Sequence, residues 1–315
     1  MPTRALDLSW YMRSGLAAVF FTALTFPTTL ASQNRIQPEP QLLRRQYASS
    51  VTGQQREYLL YLPQEYEDQS ERKWPVILFL HGGAERGDGR EDLDYVLRHG
   101  PLMEAWIQHR DLPFIMVSPQ LPVFDQVQQT TSRQALPKPK RLETPPPREP
   151  PFRSDRPIAR AAEAKPDSWD PRLGPPAGWW KVEDDVISIL DEVLEDYRAD
   201  ADRVYLTGLA YGGFGTFYMA AAHPNRWAAI APIVGMGDVL TVAPLAERDL
   251  PIWIFGGGRD RVVLVGWLHE LVQALEEAGH TAVRFTVHKD LGHDAWKRVY
   301  AGQDLYDWFL LHVRQ

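Results

Sequence analysis

The chain contains no cysteine among its 315 residues. This absence excludes disulfide bonds and metal sites built on thiolates; it is compatible with an oxidising compartment without establishing one. A strong excess of one charge is also missing, because the formal net charge is only −7. That balance argues against nucleic acid as the main partner, while a local basic patch remains open. The length allows a large core without cross-links.

Apolar runs long enough to span a bilayer are absent as well. The best candidate, residues 15–26, is shorter than the roughly 20 residues that a membrane helix needs. It follows Arg4 and Arg13, and small and polar residues come after it, up to Ala31. This pattern is typical of a secretory signal peptide. We predict a signal peptide over residues 1–31, export to the periplasm or the extracellular space, and no stable membrane insertion after cleavage; an uncleaved anchor is the alternative.

Proline is distributed unevenly along the rest of the chain. Of the 26 prolines, 13 lie between residues 122 and 176. Because proline removes backbone donors and interrupts helices, we predict a proline-rich, disordered insertion at 123–176. Its net basic stretch, 133–160, leaves a lid or a tether to an anionic polymer or membrane surface as the functional alternative. The pattern on either side predicts that residues 32–315 form a single domain.

Outside the insertion, short apolar runs alternate with segments of helical periodicity. The predicted strands are 56–63, 75–80, 113–118, 203–207, 227–233, 252–255 and 283–287. The predicted helices are 181–197, 212–222, 264–278 and 295–313. Residues 32–50 are interpreted as a polar lead-in. This alternation predicts an α/β fold, with a mostly parallel sheet and helices on both faces.

The most informative motif lies between a predicted strand and a predicted helix. It reads Gly208-Leu209-Ala210-Tyr211-Gly212. This is the pattern of the nucleophile elbow, G-x-S-x-G, whose tight turn needs small residues on both sides of the nucleophile. Ala210 stands at the position of the serine. Alone the motif is weak evidence, because glycine-rich turns also join strands to helices in nucleotide-binding proteins.

A second glycine-rich turn, His81-Gly82-Gly83, follows the early apolar strand. Such a turn can aim backbone N–H groups at a developing negative charge on oxygen. We therefore predict that Gly82, Gly83 and Tyr211 form an oxyanion hole. A simple strand-to-loop turn is the alternative.

An acid and a histidine follow the last two predicted strands. Asp260 comes just after strand 252–255, and His293 comes after strand 283–287. The order nucleophile, acid, histidine is the order of the hydrolase triad. We predict that Asp260 and His293 are the catalytic acid and base beside Ala210. The alternatives are a solvated loop aspartate and a capping or surface histidine.

From about residue 58 to residue 312, leaving out the insertion, the chain resembles esterases related to polyhydroxybutyrate depolymerases and dienelactone hydrolases. The resemblance rests on His81-Gly82-Gly83-Ala84-Glu85-Arg86-Gly87-Asp88, Ser118-Pro119-Gln120, Gly208-Leu209-Ala210-Tyr211-Gly212-Gly213, Ile252-Trp253-Ile254-Phe255-Gly256, Asp260 and Gly292-His293-Asp294-Ala295-Trp296. It implies an α/β-hydrolase fold, hydrolysis of a small-molecule or polymer carboxylic ester, no metal and no cofactor. It carries over Asp260 and His293, but no nucleophile.

Two further residues are candidates for substrate binding. Glu85 either pairs with Arg86 or shapes the rim of the pocket, or it only braces its loop. Trp180 lies where the insertion rejoins the domain, and either lines a pocket for the acyl or aryl group or packs in the core.

Ala210 leaves three interpretations open, since alanine has no atom that can attack a carbonyl. The serine was replaced deliberately, the chain is a pseudoenzyme that binds an ester, sugar or polymer without cleaving it, or His293 and Asp260 activate water directly. A surface-binding module that uses the basic insertion is a fourth possibility, from a different functional class.

Overall fold

A computed structural model of the protein describes residues 38–124, 137–144, 146 and 178–314. These residues belong to one compact unit, Pro38–Gln315. The predicted signal peptide and most of the predicted insertion lie outside the described residues. Within the described part, no helix has the length and apolar character needed to cross a membrane.

The described residues form an eight-stranded sheet. The strands are β1 (Gln41–Ala48), β2 (Gln55–Leu62), β3 (Trp74–Leu80), β4 (Ile115–Pro119), β5 (Ala199–Leu209), β6 (Ala229–Ile233), β7 (Ile252–Gly257) and β8 (Val283–His288). Their order in the sheet is β1-β2-β4-β3-β5-β6-β7-β8. The pairs β1–β2 and β2–β4 are antiparallel, and the other five pairs are parallel. The prediction of a mostly parallel sheet is confirmed.

Helices cover both faces of this sheet. They are α1 (Glu183–Asp196), α2 (Tyr211–Ala222), α3 (Val239–Glu247), α4 (Val265–Glu277), α5 (Trp296–Ala301) and α6 (Asp304–Leu310). One hydrophobic cluster contains Leu78 together with residues of α1 to α4. The other contains Phe79 together with residues of α5 and α6. Successive residues of β3 thus point to opposite faces, and each face is buried by its own set of helices.

One strand and one α-helix were not predicted. The supposed polar lead-in contains β1, an edge strand whose Arg44 pairs with Glu57 at 3.0 Å and with Asp94 at 2.5 Å. Charged side chains are typical of an edge strand, and for this reason the sequence of β1 was interpreted as a polar lead-in. Helix α3 contains Pro244, and it begins where the Asp238 side chain accepts hydrogen bonds from two backbone N–H groups of the first turn.

The predicted helix at 295–313 is broken into two. Helix α5 ends at Ala301 and α6 begins at Asp304. The buried guanidinium of Arg110 donates to the carbonyls of Tyr300, Ala301 and Gly302 at 2.8–3.0 Å. Arg110 therefore satisfies the carbonyl groups that the end of α5 leaves without helical partners.

Part of the predicted insertion, residues 137–144, lies against the domain. The N–H of Leu142 donates to the Ile107 carbonyl at 3.2 Å, and the Leu142 carbonyl lies 2.6 Å from Nε2 of His109. The Arg141 guanidinium lies 4.1 Å from the centre of the Trp106 ring. Backbone hydrogen bonds and a cation–π contact thus attach this stretch to the domain.

Candidate active site

The predicted site residues follow strands whose carboxyl ends meet at one edge of the sheet. Strand β5 runs beside β3, with Gly208 opposite Leu80. On its other side, β5 adjoins β6, which adjoins β7, and β8 pairs with β7. Ala210 follows β5, Gly82 follows β3, Asp260 follows β7 and His293 follows β8. The parallel arrangement therefore gathers these residues at the edge where α/β proteins bind their ligands.

Ala210 occupies a turn of unusual backbone geometry. Its φ is 49° and its ψ is −115°, and it separates β5 from α2. A positive φ is uncommon for a residue with a Cβ, and such strain concentrates at active-site turns. A Cβ added to Gly212 would lie 1.7 Å from the Leu80 carbonyl oxygen, and one added to Gly208 would lie 2.3 Å from the Gly212 carbonyl oxygen. Both flanking glycines are thus required, and the turn has the geometry of an elbow with alanine at its apex.

The structure brings Asp260 and His293 together. Asp260 Oδ2 lies 2.8 Å from His293 Nδ1, and Oδ1 accepts hydrogen bonds from the N–H groups of Val262 and Val263 at 2.7 and 3.0 Å. The Asp260 side chain is fully buried, whereas 27% of the His293 side chain is exposed. Donation from Nδ1 to the carboxylate leaves Nε2 as the acceptor of a neutral imidazole. The pair can therefore act as a base with an oriented imidazole.

The loop after β3 lies against the elbow. A Cβ on Gly82 would come within 2.6 Å of Leu209 Cδ1, and one on Gly83 would come within 3.3 Å of the Tyr211 ring. Tyr211 is the first residue of α2, so its N–H has no acceptor within the helix. The three residues predicted as an oxyanion hole are therefore neighbours around the apex of the elbow.

His81, which sequence reasoning assigned no role, fixes this loop from behind. Its side chain is 1% exposed. Its Nε2 accepts a hydrogen bond from the Leu121 N–H at 2.9 Å, so Nδ1 carries the proton and donates to the Gly82 carbonyl at 2.7 Å. These two bonds set the orientation of the peptide that joins Gly82 to Gly83.

Gln120 is a second brace that the sequence did not reveal. Its Nε2 donates to the carbonyls of Glu85 and Asp92 at 2.8 and 2.7 Å, and its Oε1 accepts from the Gly89 N–H at 2.8 Å. The buried Arg56 donates to the carbonyls of Gly87 and Gln120 at 3.0 and 2.9 Å. The Ser118-Pro119-Gln120 motif thus stabilises the loop that follows the oxyanion turn.

The two predicted substrate-binding residues differ in their surroundings. Glu85 is 2% exposed, and its carboxylate lies 3.9 Å from His99 Nε2 and 4.0 Å from His81 Nδ1. It therefore lies inside the loop rather than on a rim, which favours the bracing role. Trp180 is 44% exposed, and its neighbour Trp179 is the residue that packs in the core, with its Nε1 donating to the His81 carbonyl.

His99 is a further residue near this site that sequence reasoning missed. Its ring lies 5.6 Å from that of Trp296, which in turn lies 5.3 Å from the His293 ring. Burial, reinforced by the charges of Lys297 and Arg98, lowers the pKa of His99 to about 4. His99 is therefore neutral around pH 7.

Within the described ranges, no three His, Asp or Glu side chains are grouped in a way that would hold a metal ion.

Comparisons with known proteins agree with this architecture. The profile of the Prolyl oligopeptidase family (Peptidase_S9) matches residues 179–244, which include the elbow. The bifunctional acetylxylan esterase/xylanase XynS20E of Neocallimastix patriciarum is 32% identical over 98 residues, which are 30% of this chain and 14% of that protein. The chain therefore matches only a small part of this relative.

Solved structures match over more of the chain. A thermostable esterase is similar with a TM-score of 0.60 and 27% identity, over 87% of this chain and 63% of that one. A ferulic acid esterase is similar with a TM-score of 0.53 and 19% identity, over 87% of this chain and 98% of that one. The chain has the α/β-hydrolase fold, as predicted, and proteins of the esterase type are among its relatives.

Proposed function

We propose that this chain is an exported α/β-hydrolase of the esterase type that binds a carboxylic ester without forming an acyl-enzyme. The observation that carries the proposal is Ala210 at the apex of an elbow with φ 49° and ψ −115°. The backbone is that of a nucleophile turn, but the side chain ends at Cβ. Export rests on the predicted signal peptide, and residues 32–315 are proposed to be the single mature domain.

The proposed binding mode uses the three neighbouring parts of the site. The ester carbonyl oxygen accepts hydrogen bonds from backbone N–H groups of Tyr211 and of Gly82 or Gly83, which polarise the carbonyl carbon. Nε2 of His293, oriented by Asp260, faces the reacting groups as a base. Since Ala210 offers no proton to remove and no oxygen to attack, the reaction stops at the bound ester.

Esters are the substrate class that the relatives favour. The matching part of XynS20E belongs to a protein named for acetylxylan ester hydrolysis, and the 27% identical structure is a thermostable esterase. The ligand proposed here is accordingly a small-molecule or polymer ester. Because residues 179–244 match the Prolyl oligopeptidase family, the test also includes a peptide amide as the alternative substrate.

The test is to measure hydrolysis by the parent chain and by Ala210→Ser. The substrates are short-chain p-nitrophenyl esters, acetylated xylan and a peptide p-nitroanilide. We expect the serine variant to hydrolyse an ester, and the parent to be slower by a factor on the order of 10⁶ in kcat, because loss of the serine costs a serine hydrolase about that much, while the oxyanion hole and binding alone retain about 10³–10⁴ over the uncatalysed reaction. The added hydroxyl meets an elbow that already has the required backbone, so folding is expected to be unchanged.

Further outcomes of this test separate direct activation of water and the surface-binding module from the proposed function. If His293→Gln abolishes a slow hydrolysis by the parent chain, the histidine activates water directly. If the serine variant folds but cleaves no ester or amide, the site is not a hydrolase site, and the surface-binding module becomes the better interpretation. A fast parent chain would show that another nucleophile exists and that Ala210 is wrongly assigned.

A further inference from the structure

The proposed site contains a histidine base, and alanine stands at the position assigned to the nucleophile. His293 is held by a fully buried carboxylate at 2.8 Å, with 27% of its side chain exposed. Ala210 presents a methyl group at the apex of the elbow, and that residue is 8% exposed. A base beside carbonyl-polarising donors, without a nucleophile, is the arrangement that removes a proton next to a carbonyl group.

We propose that this chain catalyses the reversible enolisation of ketones that carry a C–H bond next to the carbonyl; the inference rests on the site assignment made in the proposed function. In a serine hydrolase the histidine gives its proton to the leaving-group atom of the ester, so that atom must lie within its reach. A ketone of the same shape replaces that oxygen with a carbon. Its α C–H bonds therefore face Nε2 of His293.

The step balances without any other reactant. The lone pair of His293 Nε2 takes the α proton, the C–H electron pair forms the carbon–carbon double bond, and the carbonyl π pair moves to oxygen. The enolate oxygen is stabilised by the backbone donors of the proposed oxyanion hole, and Asp260 stabilises the imidazolium. Return of a proton from His293 to the carbon regenerates the ketone.

Alanine suits this reaction better than serine. A C–H bond needs no hydrogen-bond acceptor while it is bound, so it can rest against the Ala210 methyl group without the cost of an unpaired polar atom. With serine at 210, the hydroxyl would donate its proton to Nε2 and its oxygen would attack the ketone to give a hemiketal. The serine form should thus be the weaker enolisation catalyst.

The experiment measures deuterium incorporation in D₂O by NMR, with the full chain and a panel of methyl ketones that includes heptan-2-one and 4-phenylbutan-2-one. General-base catalysis typically contributes about 10²–10⁴-fold, so we expect saturable exchange at least ~10² faster than in matched buffer. His293→Gln should return the rate to that of the buffer, and Ala210→Ser should lower it. His312→Gln, two residues beyond the end of α6, is the matched histidine control and should leave the rate unchanged.

The same preparations are assayed for ester hydrolysis after Ala210→Ser, which separates the two proposals. Ester hydrolysis by the serine variant without ketone exchange by the parent overturns the enolisation proposal and leaves the proposed function standing. Exchange that persists in His293→Gln also overturns it, because the base is then elsewhere. Absence of both activities overturns the proposed function and this inference together.

Discussion

Asp260 and His293 are joined at 2.8 Å although 33 residues separate them in the chain. The loops that carry them are also joined by their backbones, through hydrogen bonds from Arg259 N–H to the Leu291 carbonyl and from Gly258 N–H to the His288 carbonyl, both at 2.8 Å. With its second oxygen held by two N–H groups, the Asp260 carboxylate has little freedom to turn. The backbone of the loops that follow β7 and β8 therefore fixes the orientation of the His293 imidazole.

The first prediction concerns this pair in the Ala210→Ser background. Asp260→Asn keeps the shape but can place an N–H opposite Nδ1, which favours the wrong tautomer of His293. We expect kcat for the best ester to fall by about 10⁴, as in other triads of this type. The measurement is steady-state kinetics at equal folded concentration, verified by circular dichroism.

Asp290→Asn is the matched control, because that exposed carboxylate lies three residues before His293 and pairs with Arg298 of α5. It should change kcat by less than about twofold, as expected for a surface charge pair. Equal losses in the two variants would contradict the assignment of Asp260 as the acid of the triad.

The second prediction concerns the close approach at the elbow. Gly212→Ala places a methyl group 1.7 Å from the Leu80 carbonyl oxygen, which belongs to the centre of the sheet. We expect destabilisation of more than about 3 kcal/mol, or failure to fold, because backbone atoms of two packed elements cannot yield as a flexible side chain does. Thermal unfolding of the full chain measures the effect.

Gly292→Ala is the comparison at the same edge of the sheet. Its added Cβ would be 3.8 Å from the Arg259 carbonyl oxygen, the nearest atom beyond its chain neighbours, and its φ is negative, at −92°. The melting temperature should change by only a few degrees. A stable Gly212→Ala protein would show that the elbow is wider than the structure has it.

The positions of the elbow, Asp260 and His293 could be predicted because each follows an apolar strand by a few residues, and such spacing is visible in the sequence. The bracing roles of His81 and Gln120 could not be predicted. His81 acts through Leu121, 40 residues away, and Gln120 acts through Glu85 and Asp92. Such contacts depend on which strands are neighbours in the sheet, and local periodicity does not encode that order.

Errors in the predicted elements have similar causes. Strand β1 lies at the edge of the sheet, so its residues are partly exposed and its polar sequence is typical of a loop. Helix α3 contains a proline, which argues against a helix when only the local sequence is considered. The break after α5 depends on Arg110, almost 200 residues earlier in the chain, which satisfies the carbonyl groups there.

The third prediction concerns acid stability. The pKa of His99 is about 4 in the folded protein, against an ordinary value of 6.5, because of its burial. Below pH 6.5 the unfolded chain gains a proton at this residue and the folded chain does not, so stability falls as the pH drops from 6.5 towards 4. Burial also lowers the pKa of His280, His288 and His312, which act in the same direction.

His99→Gln should therefore reduce the loss of unfolding free energy that accompanies a fall in pH. Between pH 7 and pH 5 we expect the parent to lose on the order of 1–2 kcal/mol more unfolding free energy than the variant. Urea titrations at the two pH values give the comparison. Parallel losses in both proteins would mean that His99 is protonated in the folded state at pH 5.

The fourth prediction concerns a buried hydroxyl pair below the elbow. Thr207 Oγ1 donates to the Ala231 carbonyl at 2.6 Å, which commits its only proton, so Tyr300 must be the donor in the 3.0 Å contact between the two hydroxyls. Both side chains are buried, and burial raises the pKa of Tyr300. The pair links β5, which carries Ala210, to α5, which follows His293.

Thr207→Val and Tyr300→Phe should differ in their effects because they leave different groups unpaired. Valine at 207 removes the acceptor of the Tyr300 hydroxyl and the donor to the Ala231 carbonyl, which we expect to cost about 2–4 kcal/mol in unfolding free energy. Phenylalanine at 300 leaves Thr207 bonded to Ala231, so about 1 kcal/mol is expected. In the double variant the buried tyrosine hydroxyl is gone, and its loss of stability should be smaller than the sum of the two single losses.

Urea unfolding of the parent, the two single variants and the double variant measures this double-mutant cycle. Strict additivity would contradict a hydrogen bond between the two hydroxyls, and a larger loss for Tyr300→Phe than for Thr207→Val would reverse the donor assignment.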